Sequence, residues 1–371
     1  MIADTGRVEA FVAALRSRIR PGHVVLDIGT GIGIWAFFAC HFGARKVYAV
    51  EPQGIVHRAR STAIANGLAE RIEFIQALTT EIDLPEKVDG IVADIRGSLP
   101  LFYGSLTTLI DARERFLKTG GWMIPERDVV WAALVSDARL YDDWIGFWDS
   151  RPLGIDFGTI RAGASGEWGR RRMLPDSVFG SPVKWATIDY HALSEPRVRG
   201  SLEWRIDQQV IAHGLCVWFD MEDPGGGLSN SPFSSEEHLY SQAFFPWVRP
   251  VKLGAGDTVV AELAADPVGD DYLWRWSAIV RDADGSEKES FKQSSFDGAL
   301  VSADELRRRA HSHCPALNTG GEIDRMILDR FGNGSSLEQI AREVAEKFPR
   351  KFPTWERALT RVGTLSAQYS K

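Results

Sequence analysis

The sequence predicts an α/β domain built on a parallel sheet, an antiparallel β domain behind it, and a helical tail. Three observations carry this reading. Up to about residue 126, short apolar runs spaced by roughly 20 residues leave room for one helix in each crossover. From Asp128 to about Val280 the chain is rich in Val, Ile and Trp and is broken by Gly and Pro clusters, as antiparallel strands are. Beyond about Leu300 the apolar residues fall at spacings of three and four.

In the first region the strands are expected at Val24 to Ile28, Lys46 to Val50, Arg71 to Ile75 and Val88 to Asp94, and Pro125 closes it. The β runs of the second region are Val129 to Val135, Gln209 to Phe219, Thr258 to Leu263 and Tyr272 to Val280. Asp223-Pro224-Gly225-Gly226-Gly227 is a turn cluster. Residues 138–172 read as a helical, then loop-like, insertion. In the tail, Ser302 and Glu305 suit a capping box. After Ser335 and Ser336, Leu337, Ile340, Ala341, Val344, Ala345 and Phe348 form one stripe. Trp355, Leu359, Val362 and Leu365 form another. The division expected is 1–126, 127–298 and 299–371.

A chain of 371 residues is too long for one compact core, so two or three domains are expected. Its 43 basic residues against 50 acidic ones give a net charge of −7, which removes the electrostatic case for nucleic-acid binding. Cys40, Cys216 and Cys314 are odd in number and far apart, which argues against a disulfide framework or a cysteine zinc site. No metal site is expected. No apolar run reaches the roughly 18 residues of a membrane span. The first residues lack a secretory h-region, so a cytoplasmic location is expected.

The chemistry concentrates in VVLDIGTGIGIW (Val24 to Trp35) and KVYAVEP (Lys46 to Pro52). A buried strand runs into Asp27, then Gly29, Gly31 and Gly33 open a helix, and a second strand ends in Glu51. Glycines let the backbone turn sharply and approach a ligand at a helix N-terminus. An acid at the second strand's tip suits the two hydroxyls of a ribose. A dinucleotide motif would need glycine at position 34, which is Ile34. Asp27 would repel a pyrophosphate and suits the amino group of a methionine moiety. S-adenosylmethionine, leaving as S-adenosylhomocysteine, therefore fits better than NAD. Asp94 ends the fourth strand, where open α/β sheets place their chemistry, and could orient or deprotonate an acceptor. Arg96 could bind an anionic substrate group. His238 is a candidate base, since imidazole as a side-chain type can take up a proton near neutral pH.

These segments resemble the class I S-adenosylmethionine methyltransferases, specifically the protein arginine methyltransferase family. VVLDIGTGIGIWAFFACHFGARKVYAVEP is similar to its motif I. MIADTGRVEAF resembles the preceding helix, with Arg7 at the arginine that pairs with the cofactor carboxylate. ARERFLKTGGWMIPER resembles the junction to a β-barrel, and GLSNSPFSSEEHLYSQAFF the barrel segment with a Thr-His-Trp loop. The resemblance implies a Rossmann-like domain followed by an antiparallel barrel, with Thr79, Thr80 and Pro52 near the cofactor. It also implies two glutamates around a guanidinium. Here the first position is Asp94 and the second falls at Tyr103 or Gly104. The Thr-His-Trp loop reads Glu237-His238-Leu239. Asp94, Tyr103 and His238 are the catalytic candidates, and Glu237 is a weaker, substrate-side one. The tail resembles a PqqD-type, winged-helix-like peptide-recognition module.

The function expected is methyl transfer to a peptide or protein side chain, such as a peptide natural-product precursor. The insertion would serve as a dimerisation arm in a homodimer. Two other readings share the same residues: a methyltransferase for a small metabolite or free amino acid, and a cofactor-binding scaffold without catalysis.

Overall fold

The structure is a computed structural model that describes residues 2–236, 238–298 and 302–370. Met1–Ala299 and Leu300–Lys371 form two compact units. The first unit opens with helix α1 (Thr5–Arg18), whose N-cap Asp4 accepts the Arg7 backbone N–H at 3.1 Å. Ala10, Phe11, Ala14 and Leu15, at helical spacing, bury its inner face. Phe11 stacks on Trp35 with ring centroids 4.6 Å apart.

The parallel sheet follows: β1 (Val24–Ile28), β2 (Lys46–Val50), β3 (Ile72–Ile75), β4 (Val88–Ala93) and β5 (Leu117–Ile124), in the order β3-β2-β1-β4-β5. Helices α2 (Ile34–His41), α3 (Val56–Ala65) and α4 (Ser105–Phe116) fill crossovers. All of β1 is buried, as expected of a strand covered on both faces. The strand order reverses at β1, and Ile28 pairs with Ala93, so the carboxyl ends of β1 and β4 share one crevice. Open α/β sheets bind ligands at such a switch point.

The fifth strand was not expected. Its first half, Lys118 to Gly120, is exposed, and two glycines read as a turn; only pairing with β4 makes it a strand. Gly90 makes that pairing work. A methyl group there would lie 2.0 Å from the Trp122 ring.

After a cis Ile124-Pro125 bond the barrel begins. One antiparallel sheet orders β7 (Gly169–Arg171), β12 (Gln242–Leu253), β10 (Val210–Glu222), β6 (Arg127–Val135) and β8 (Val178–Asp189). The short strand β11 (Leu228–Ser229) pairs with β10. The other sheet orders β15 (Glu287–Ser294), β14 (Asp271–Arg281), β13 (Thr258–Val268) and β9 (Val198–Arg205). Aromatic rings fill the interior: Trp274 lies 5.2 Å from Phe245 and 5.3 Å from Trp168. One continuous core joins the sheet half and the barrel half of this unit.

The four β runs read from the sequence became β6, β10, β13 and β14. Strands β8, β9, β12 and β15 were not read. β12 carries Pro246 and Pro250, with Pro246 opposite a register shift at Ala212/Gly214. β15 is polar, and only Phe291 and Gln293 are buried. The insertion holds α5 (Ala138–Trp144) and α6 (Gly158–Ser165), but its last residues are not loop. They form β7, paired with β12 through Gly169 to Arg171.

The second unit is helical. α8 (Ala303–Arg309) follows the short α7 (Ser295–Gly298) of the first unit; α9 (Thr319–Leu328), α10 (Leu337–Lys347) and α11 (Trp355–Tyr369) complete it. Ile323, Ile327, Ile340, Val344, Val362 and Leu365 form its core. Ser336 and Gln339 make a reciprocal capping box. At Ser302 only half of the expected box forms: its hydroxyl accepts from Glu305 N, while the Glu305 carboxylate takes Arg309 at 2.7 Å. Residues 302–370 contain no strand, so the expected winged-helix character is corrected to a helical unit without a wing. No helix among the described residues is long and apolar enough to cross a membrane.

Gly90→Ala should lower stability by about 1–3 kcal/mol through overpacking against Trp122, and adding Trp122→Leu should restore part of it. Urea unfolding of the three variants measures this.

Candidate active site

The glycine turn lies at the carboxyl end of β1. Gly29, Gly31 and Gly33 have φ of +68°, +54° and +90°, which side chains resist. A methyl group on Gly29 would strike Ile95, and one on Gly33 would strike Phe37. Gly31 differs. Its nearest neighbour would be the Gly29 carbonyl oxygen at 4.0 Å, so this backbone is bare on its outer side. Glu51 reaches back across the loop: Oε2 accepts Gly31 N at 3.0 Å, and Oε1 accepts Gln53 N at 3.0 Å.

Asp27 is fully buried. Its Oδ2 accepts the Thr30 hydroxyl at 2.5 Å and Ala36 N at 3.0 Å. Its Oδ1 has no partner among the described residues. Burial pushes its pKa up to about 7, against the two hydrogen bonds. A bare backbone, a buried carboxylate with one unused oxygen and an acid at the next strand's tip suit the methionine and ribose parts of S-adenosylmethionine. Thr79 is buried at the end of β3, with its carbonyl oxygen held by Arg115 at 2.8 Å, whereas Thr80 and Pro52 are exposed.

Beside this loop, Asp94 leaves β4 into a buried charge network. Arg7 Nε donates to Asp94 Oδ2 at 2.6 Å, and Nη2 binds the same oxygen. The Tyr240 hydroxyl accepts from Arg7 Nε at 2.9 Å and donates to Asp94 Oδ1 at 2.6 Å. Arg96 Nε stands 3.7 Å from Asp94 Oδ1, and its Nη1 donates to Asp128 Oδ1 at 3.0 Å. Tyr190 donates to the other Asp128 oxygen at 2.5 Å. Burial alone would lower the Arg7 and Arg96 pKa values; Asp94 and Asp128 respectively outweigh it and raise them. Burial raises Asp128 and Tyr240.

A second group sits against the N-terminus of α1. His238 Nδ1 meets Asp4 Oδ1 at 3.0 Å, and Leu239 N donates to Asp4 Oδ2 at 2.9 Å. Burial would raise the Asp4 pKa, but the hydrogen bonds from His238 and from Leu239 and Arg7 backbone hold it below the usual range. Asp4 thus caps the helix that carries Arg7 and steadies the imidazole. It was not singled out in the sequence, although an Asp three residues before Arg7 at a helix start is an N-cap signal.

The structure brings Arg7, Asp94 and His238 to neighbouring elements around the switch point. Tyr103 does not join them: it is 67% exposed and packs edge-on against Phe102. Arg96, expected on an anionic substrate group, has a side chain 3% exposed and paired with Asp128. Arg7, expected on a cofactor carboxylate, grips Asp94. Glu237 lies outside the described residues.

This architecture defines a methyltransferase of the Rossmann-like class with a barrel domain attached. Residues 9–125 match the family of ribosomal protein L11 methyltransferase (PrmA). Over 259 residues the chain is 32% identical to protein arginine N-methyltransferase 6 of Danio rerio, covering 64% of this chain and 72% of the relative. It is 29% identical over 336 residues to protein arginine N-methyltransferase PRMT10 of Arabidopsis thaliana, covering 80% and 87%. The solved structure of Arabidopsis thaliana protein arginine methyltransferase 10, in an open conformation, superposes with a TM-score of 0.68 at 25% identity, covering 79% and 95%. The Trypanosoma brucei PRMT1 enzyme-prozyme complex superposes at 0.71 with 24% identity, covering 79% and 96%. The chain belongs to the protein arginine N-methyltransferase family and is an S-adenosylmethionine-dependent methyltransferase.

Asp27 gives a pH signature. The folded chain holds its proton up to about pH 7, whereas the unfolded chain releases it near 3.8. Between those values the folded state binds more protons, so its stability falls as pH rises, by at most about 1.4 kcal/mol per unit. Asp27→Asn, which keeps both acceptor contacts, should flatten that decline in urea midpoints of ligand-free protein from pH 5 to 8. An unchanged slope would assign it elsewhere.

Proposed function

We propose that the protein transfers a methyl group from S-adenosylmethionine to a side chain of a protein or peptide substrate. The bare Gly31 backbone beside the Asp94 crevice is the observation that carries this reading. Asp27, Gly29, Gly31, Gly33 and Glu51 would hold the cofactor, with Thr79, Thr80 and Pro52 at the adjoining strand ends. Arg7 would meet its carboxylate while staying on Asp94. The bound cofactor supplies an electrophilic methyl group on a sulfonium, whose leaving thioether needs no proton.

The chain's own work is then orientation and proton removal. Arg7, Tyr240 and Arg96 immobilise Asp94 at the crevice, and holding an acceptor in one pose supplies much of the acceleration. His238, steadied by Asp4, is the candidate to take the acceptor's proton. The burial of the network keeps water away from these groups.

The three parts 1–126, 127–298 and 299–371 remain our division by role, with the tail as the candidate for peptide capture. The free thiols of Cys40, Cys216 and Cys314 support a reducing compartment, the cytoplasm. We also propose a homodimer through the insertion. Phe147, Leu153, Ile155 and Ile160 expose 53%, 100%, 55% and 46% of their surfaces there, a patch that another chain would cover. The Trypanosoma brucei complex is a heterotetramer. Sedimentation should show a dimer that Leu153→Asp with Ile155→Asp converts to monomer; a monomeric parent chain removes the proposal.

Calorimetric titration with S-adenosylhomocysteine tests the function, with NADH as control. Binding of the first alone is expected. Glu51→Ala should weaken it about 10- to 100-fold, the loss of charge-assisted hydrogen bonds worth about 1.5–3 kcal/mol. Labelled methyl transfer to peptides, against none to free amino acids, then separates the peptide reading from the small-metabolite one. Tight binding without transfer to either favours the scaffold.

A further inference from the structure

The outer face of the first barrel sheet carries a cleft that methyl transfer at the crevice does not use. Along β10, Val217 and Phe219 point into the barrel core, so Trp218 and Asp220 point outward. Trp131 of β6 stands directly opposite Trp218, between the inward Val130 and Ala132. The loop between β11 and β12 adds Phe233, whose ring meets the Trp218 ring at 80° with centroids 5.9 Å apart. These four side chains line a cleft of about 500 Å³.

Two features set the cleft apart from ordinary packing. Its carboxylate is short of a partner: Asp220 Oδ1 accepts the Ser229 hydroxyl at 2.5 Å, and among the described residues no cation pairs with it. Its aromatic surface is left open. Phe233 is 48% exposed, and Trp131 is half-buried with its Nε1 shut away, so the part of Trp131 left open is carbon. Nearby in the same outer cluster the chain supplies its own cation, with Arg171 Cζ 3.7 Å from the Trp144 ring centroid. No guanidinium or ammonium among the described residues covers Trp131 or Trp218 in that way.

The loop is held in this pose. Asn230 Oδ1 accepts Phe219 N at 2.8 Å, and its Nδ2 donates to Ser98 O at 2.9 Å. Ser231 N donates to Ser229 Oγ at 3.1 Å, and Phe233 N to Ser231 Oγ at 3.2 Å. The rings and the carboxylate are therefore in place before a ligand arrives, which lowers the cost of binding one.

Aromatic carbon beside a free carboxylate selects a cation that gives up its water easily. A primary ammonium is compact and strongly hydrated. Methylation keeps its charge and replaces its N–H donors with methyl groups. A planar guanidinium stacks flat on a ring, whereas walls at 80° make a corner that fits a rounded group. Ser231 and Ser234 line both this cleft and a neighbouring cavity of about 320 Å³ that reaches His238. A peptide lying in one cavity runs into the other.

We propose that the cleft binds a methylated ammonium side chain, trimethyl-lysine in particular, on a peptide that also reaches the crevice. The protein would thereby favour chains that already carry one methylated cation. The peptide as carrier rests on the methyl-transfer reading; the cation site stands on the cleft alone.

The test uses the full chain and three blocked peptides of the form Gly-Gly-X-Gly-Gly. X is trimethyl-lysine, lysine, or a neutral twin of trimethyl-lysine with carbon in place of the quaternary nitrogen. Calorimetry should show the first bound about tenfold more tightly than either of the others. Asp220→Asn and Phe233→Ala should each bring it within about twofold of its neutral twin, with S-adenosylhomocysteine affinity and the unfolding midpoint unchanged. A parent chain without the preference, or a preference that survives in either variant, overturns the proposal. Tetramethylammonium ion bound as tightly as the peptide would give the cleft to a free small cation and overturn the peptide assignment. Binding is read without turnover, so a parent chain that binds the peptide yet transfers no labelled methyl group counts against methyl transfer alone.

Discussion

Taking ions out of water costs several kcal/mol each, and the protein buries four of them in one network. Arg7, Asp94, Arg96 and Asp128 are tolerable there because every one is paired, with the Tyr190 and Tyr240 hydroxyls completing the set. The members come from far apart in the chain: Arg7 from α1, Asp94 and Arg96 from the end of β4, Asp128 from β6, Tyr190 after β8 and Tyr240 before β12. The network closes only when the parallel sheet and the barrel meet, and leaving any charge alone would be far costlier than never burying it. The site is therefore complete only where the two halves of this unit pack together.

Helix α1 depends on that closure and transmits it. Its first turn carries Asp4 and Arg7. Further along, Gly225 and Gly226 approach its backbone closely: a methyl on Gly225 would lie 2.7 Å from Ala14 Cα, and one on Gly226 3.0 Å from Ala10 O. At its end Arg18 binds Glu126 at 2.5 Å and Asp223 at 3.2 Å. A helix held by barrel residues along its length presents two site groups at one fixed height over the crevice. The glycine turn behind it is equally inflexible, because Ile95 and Phe37 crowd two of its three glycines.

Local signals were legible wherever a rule acts within a few residues. The strand into Asp27, the three glycines, the acid ending β2 and the stripes of α10 and α11 all obey short-range periodicities, and all stand where the sequence put them except Leu337, which is exposed at the start of α10. The rules failed where a distant partner decides. β5 and β15 are strands because β4 and β14 offer edges, against exposed lysines and glycines of their own. Arg96 read as a residue for an anionic substrate group, since nothing near it in sequence announces Asp128, 32 residues on. Asp4 announced a helix cap but not the histidine 234 residues away that it also holds.

The sequence by itself determined the cofactor class, the parallel sheet, an antiparallel β domain after it, and the acids at the first and second strand ends, because strand and helix periodicity and glycine geometry are local properties of the chain. That the β domain is a barrel came with the family resemblance. Only the tertiary structure decided which charges are spent on one another. Asp94 is neutralised by Arg7 and Arg96, His238 stands between Asp4 and Glu236, and Gly6 clears the space between them. Coulomb attraction strengthens steeply in a buried, low-dielectric setting. Partnership there depends on ångströms in space, which separation along the chain does not encode.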